Sequence, residues 1–117
     1  MNLLENRLGA IAEEASEVAK NALKAQKYGF NTIEPGQEKT NATRLLDEMN
    51  DLMGAFEELI EMTGCPGLDP EAMAAKRRKL DFFIGVCYAL GTLTLTPQEK
   101  ERYVKRDTDQ YAEYVSH

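Results

Sequence analysis

The chain has 117 residues, 43% hydrophobic and 29% charged, which is one domain's worth of globular sequence and excludes disorder. Fourteen Lys and Arg against 20 Asp and Glu leave a net charge of −6, which argues against binding to nucleic acid polymers. The single histidine, His117, excludes a Ser-His-Asp triad, a Cys-His pair, an HExxH zinc site and a carboxylate–histidine di-iron bundle, and two cysteines make no disulfide framework.

In chain order, the first helix is expected over residues 3–27. Leu4, Leu8, Ile11, Ala15, Val18 and Ala22 step by three or four and form one apolar stripe. Tyr28-Gly29 ends it, with Gly29 suited to a left-handed cap. Residues 30–40 contain Pro35-Gly36 and read as a long loop. A second helix is expected from Asn41 to Thr63, capped by Thr40 or Asn41, with a stripe of Leu45, Met49, Leu52, Phe56 and Leu59 or Ile60. Asp69-Pro70-Glu71 opens a third helix whose stripe is Met73, Leu80, Phe83, Ile84, Cys87 and Leu90, and Gly91 ends it. Thr92 to Leu95 read as an extended linker. Thr96-Pro97-Gln98-Glu99 has capping-box spacing, so a last helix is expected over 97–115, with Tyr103, Val104, Tyr111 and Tyr114 as its apolar contacts.

The expected architecture is a single all-α helical domain over 1–117, a helical bundle assembled as an oligomer. Three or four helices of this size make a thin core, and helix two is apolar over much of its length, through Leu52, Met53, Ala55, Phe56, Leu59 and Ile60. No apolar run reaches the roughly 18 residues of a membrane span, and the start, Met1 to Glu5, is not followed by the apolar core of a secretory signal. A reduced, cytoplasmic protein is expected.

The residues that carry chemistry are acids. Glu14 and Glu17 lie three apart in helix one, and Glu48 and Asp51 lie three apart in helix two, so each pair shares a helix surface. With Ile11 set at zero and about 100° per residue, Glu14 falls near −60° and Glu17 near −120°. With Leu45 at zero, Glu48 and Asp51 fall at about the same two angles, −60° and −120°. Both helices therefore carry an acid pair on the same flank of the stripe, and packing them together brings four carboxylates to one place. Such a group needs protons or a cation. Oxygen-only ligands select hard ions, Mg²⁺, Mn²⁺ or Ca²⁺, and Mg²⁺ is commonly shared with phosphates. The competing reading is a solvated surface: Glu57-Glu58 and Glu61 repeat the spacing in the same helix.

Glu13-Glu14-x-x-Glu17 followed by Glu48-x-x-Asp51 resembles the EExxE…ExxD signature of MazG-type all-α nucleoside triphosphate pyrophosphohydrolases. Residues 10–20, the Lys27-Tyr28-Gly29-Phe30 exit, the stretch from Leu45 to Leu52 and the stretch from Ala75 to Leu80 are similar to that family too, so the likeness spans about 3–90. The interval between Glu17 and Glu48 is longer than the family pattern, and Asn50 stands where a small residue is common. The resemblance implies hydrolysis of (deoxy)nucleoside triphosphates to monophosphate and pyrophosphate by a homodimer or homotetramer. It implies Mg²⁺ (Mn²⁺ possible) held by Glu14, Glu17, Glu48 and Asp51; Glu13 is the candidate for orienting or deprotonating water, the alternative being a solvated neighbour. Lys76, Lys79 and Lys27 are candidate phosphate-binding residues, and Tyr28 and Phe30 can stack on a base. The alternative is a non-enzymatic helical oligomerisation or adaptor module.

Overall fold

The computed structural model describes residues 1–104 and 111–115. Among them are α1 (Leu3–Tyr28), α2 (Asn41–Thr63), α3 (Pro70–Leu90), α4 (Pro97–Tyr103) and α5 (Ala112–Val115), and no strand. The chain is all-α, as its patterning predicts. The helices begin where the sequence supplies side-chain acceptors. The Asn2 side chain accepts from the Glu5 amide at 2.8 Å, and the Glu5 carboxylate accepts from the Asn2 amide, which is a capping box. Thr40 caps α2, Asp69 caps α3 ahead of Pro70, and Thr96 with Glu99 forms the box at α4. Gly64 and Gly91 close α2 and α3 in the left-handed region, at φ 68° and 78°. Gly29 departs from the expected left-handed cap. At φ 112° and ψ 138° it turns the chain straight into an extended segment, and the Thr32 hydroxyl, donating back to the Tyr28 carbonyl, fills the space a side chain at 29 would need.

The helices group into two compact units, Met1–Gly67 and Leu68–His117. In the first, α1 and α2 pack as an antiparallel hairpin. Arg7 near the start of α1 meets Glu58 near the end of α2, and Gly29 meets Asn41 at the closed end. The loop is tied to α2 at several points. The buried Asn41 donates from its side chain to the Gly29 carbonyl at 2.9 Å and from its amide to Thr32, and Ala42 donates to Phe30. Arg44 pairs with Glu34 at 2.9 Å, both half-buried, and Lys39 with Asp47 at 2.8 Å.

The face of α1 that packs differs from the expected stripe. Buried or half-buried positions are Arg7, Ala10, Ile11, Glu14, Val18, Asn21, Lys24 and Ala25, whereas Leu4 and Leu8 are 42% and 48% exposed. On the same wheel the packed face is centred near −60°, turned toward the acid flank. The apolar stripe is wider than one neighbouring helix can cover, and α2 takes the flank that also carries Glu14.

In the second unit, α3 packs against the segments that follow it. Tyr111, 2% exposed, lies against Gly85, where a Cβ would collide with its ring. Phe82 lies 5.6 Å from the Tyr111 ring, and Phe83 and Tyr114 meet edge to face at 5.7 Å. Phe82 and Gly85 lie on the side of α3 away from the expected stripe, of which Met73 and Leu80 are 52% and 54% exposed, whereas Phe83 belongs to that stripe and packs here as expected. The single helix expected over 97–115 is corrected. Val104 is extended, at φ −97° and ψ 116°, so α4 ends there, and α5 begins only after Tyr111 has been seated on Gly85. Residues 105–110 of that expected helix, and His117, lie outside the described residues.

Candidate metal centre

Glu14 is held midway along α1, and Glu48 and Asp51 midway along α2. The i, i+3 spacing puts both α2 acids on the flank that α1 approaches. One carboxylate oxygen from each of the three lies within 4.8 Å of the others. Glu14 and Glu48 are half-buried and Asp51 is exposed. The oxygens around one octahedral Mg²⁺ span at most about 4.2 Å, so slight tightening lets all three share an ion. The donor set is three hard carboxylate oxygens, which fits Mg²⁺ or Mn²⁺.

The electrostatics agree with the geometry. Partial burial, and then the charges of Asp51, Glu48, Glu17 and Glu13 in that order, push the Glu14 carboxyl above its ordinary value of 4.5. A carboxyl raised in the folded state favours the protonated fold. That stability is fully present below the ordinary value and is lost as pH rises through the raised one. A divalent ion replaces the proton, so its stabilising effect grows in the same direction. Thermal melts between about pH 4 and pH 7 should show a Mg²⁺ increment over EDTA that is small at the acid end and largest at neutrality. An increment that does not change with pH contradicts the assignment.

No family model, curated protein or solved structure matches the chain. The case for this centre therefore rests on its own residues.

Of the acids the sequence singles out, Glu17 is exposed and its carboxylate is outside the cluster of three, although its charge acts on Glu14. Its backbone carbonyl accepts from the buried Asn21 side chain at 2.9 Å, which fixes the helix at this level. Glu13 is exposed, and its charge has the smallest effect on Glu14. Lys27 is not brought to the acids. It lies about 20 Å from Glu14 along the α1 axis, and its ammonium sits over the Tyr28 ring at 5.2 Å. Lys76 and Lys79 are exposed on α3, in the second unit. Phe30 rims an open apolar depression of about 400 Å³ with Leu45, Leu46 and Met49. On the α2 wheel the centre of this depression, near +70°, lies about 130° or more round from Glu48 and Asp51, so Phe30 does not share their face.

From the sequence, the N-terminal turn around Asn2 and Arg7 is a candidate contributor to nucleotide binding with no physical argument behind it. Arg7 lies seven residues before Glu14 on α1, and its partner Glu58 lies seven after Asp51 on α2. Two helical turns in opposite directions keep the pair on the acid-bearing side of the hairpin. That spacing was the available signal.

Proposed function

We propose that the chain is a Mg²⁺-dependent nucleoside triphosphate pyrophosphohydrolase of the MazG-like kind its motifs resemble. The observation that carries the reading is the convergence of Glu14 with Glu48 and Asp51 from two helices. In this reading those three acids hold the ion, with Glu17 as a nearby fourth carboxylate. A bound Mg²⁺ supplies positive charge to phosphate oxygens and lowers the pKa of a water. The protein's own task is positioning: the capped, antiparallel helices fix the acids before substrate arrives, and in this reading Glu13, exposed one residue before Glu14, would orient the water or take its proton. Water adds to phosphorus, the anhydride oxygen leaves with pyrophosphate, and the monophosphate remains. Incubating the purified chain with each canonical (deoxy)nucleoside triphosphate and Mg²⁺, and assaying monophosphate and pyrophosphate together, tests it. Turnover of at least one nucleotide is expected, and none across canonical and modified nucleotides contradicts it.

Oligomeric assembly belongs to the same proposal. In an antiparallel pair, flanks with the same sign of rotation lie on the same side. Glu14, Glu48 and Asp51 therefore occupy one side of the hairpin, and Leu4, Leu8, Leu46 and Met49, all exposed, occupy the other. An apolar side of this kind suits burial against a second copy in a homodimer or homotetramer. Light scattering at micromolar concentration should report such a mass, and a strict monomer contradicts it. The same apolar side favours the second reading, a helical oligomerisation module without catalysis, which the nucleotide panel separates from the first.

A further inference from the structure

We propose that Arg7 is a phosphate-binding residue of the acid-bearing face, with Glu58 holding its guanidinium in place until an anion arrives. The inference rests on the reading of Glu14, Glu48 and Asp51 as a cation site that receives phosphates.

The evidence is how poorly Arg7 is satisfied. Its Nη2 is 3.4 Å from Glu58 Oε1, and its Nη1 donates to Asn6 Oδ1, also at 3.4 Å. Charge-assisted bonds to a carboxylate normally close to about 2.7–2.9 Å. Its Nε is buried and is the one buried side-chain nitrogen or oxygen without a hydrogen-bond partner among the described residues. A buried donor without an acceptor disfavours the conformer that contains it. Turning outward costs the guanidinium two long contacts and releases the buried Nε–H. Its planar fork then matches a phosphate oxygen pair.

The placement gives the anion a class. Arg7 lies about 10 Å along the axis from Glu14 on the same face. Ala10 and Ala55, both half-buried, stand between the two levels and put no long side chain in the way. A long Arg side chain from one level and a chain of phosphates extending from the cation at the other close that gap. The other arginine of the hairpin, Arg44, is already bound at 2.9 Å by Glu34. Arg7 is thus the hairpin arginine whose pairing leaves room for a phosphate chain.

The test is calorimetric titration of the full chain with inorganic tripolyphosphate, with and without Mg²⁺, beside Mg²⁺ alone. Arg7→Met should weaken tripolyphosphate binding on the order of 10- to 100-fold and leave binding of Mg²⁺ alone unchanged. Arg7→Lys, which keeps the charge and loses the fork, should fall between. Glu58→Gln should tighten binding, because it removes the carboxylate that competes for Arg7. A structural ion pair predicts no such gain, so this variant decides the matter even if Arg7→Met folds poorly. Equal tripolyphosphate binding by wild type and Arg7→Met, weaker binding by Glu58→Gln, or no binding by the wild type overturns the proposal. Absence of Mg²⁺ binding by the wild type, with the Arg7 dependence intact, overturns the cation reading and supports Arg7 as an anion site in its own right.

Discussion

Glu48→Gln should abolish the Mg²⁺ response of the protein while leaving its fold intact. In the wild type, Mg²⁺ at about 100 times its dissociation constant adds about 2.7 kcal/mol, a rise in melting temperature on the order of 5–15 °C for a chain of this size. The variant keeps the shape of the side chain and loses one of the three converging oxygens' charge, so that rise should nearly vanish. Without divalent ions the sign reverses. The charge of Glu48 is among the causes that raise Glu14, so its removal relieves repulsion and the metal-free variant should melt no lower than the wild type. Nucleotide turnover should fall by at least about 100-fold. A variant that melts lower in EDTA and keeps its full Mg²⁺ increment contradicts the assignment.

Gly85→Ala should be the most disruptive small substitution in the second unit. Alanine normally gains about 1 kcal/mol over glycine inside a helix. Here the new Cβ would collide with the Tyr111 hydroxyl and ring, in a seat that Tyr111 fills at 2% exposure. The ring must leave, and its contact with Phe82 goes with it. A net loss of about 1–3 kcal/mol is expected. Tyr111→Phe removes the atom nearest the new methyl, so the double variant should recover part of that loss. Thermal melts of the two single variants and the double variant measure the coupling, and strict additivity contradicts the seat.

The reach of the sequence varies by feature for physical reasons. Helix limits are written locally: Asn2, Thr40, Asp69 and Thr96 cap as their side chains allow, and Gly64 and Gly91 adopt the conformation glycine favours. Three of the four acids expected to meet do so, Glu14, Glu48 and Asp51, because residues three apart on a helix share a surface and both pairs sit at one angle to their stripes, whereas the Glu17 carboxylate stays outside. The choice of packed face was not legible. Periodicity shows where a helix is apolar, whereas α2 covers only one flank of the α1 stripe, which leaves Leu4 and Leu8 exposed. The Gly85–Tyr111 seat was hidden for a different reason. It joins residues 26 apart in the chain through a glycine, and a missing side chain gives no hydrophobic signal. Arg7 carried a spacing but no distinguishing chemistry until its unpartnered Nε was seen.

Mn²⁺ titration followed by electron paramagnetic resonance addresses the centre itself, since the free ion's signal is lost on binding. The wild type should take up one Mn²⁺ per chain, displaced by Mg²⁺, and the combined variant Glu14→Gln, Glu48→Gln, Asp51→Asn should leave that ion free. Equal Mn²⁺ uptake by both proteins would contradict the account.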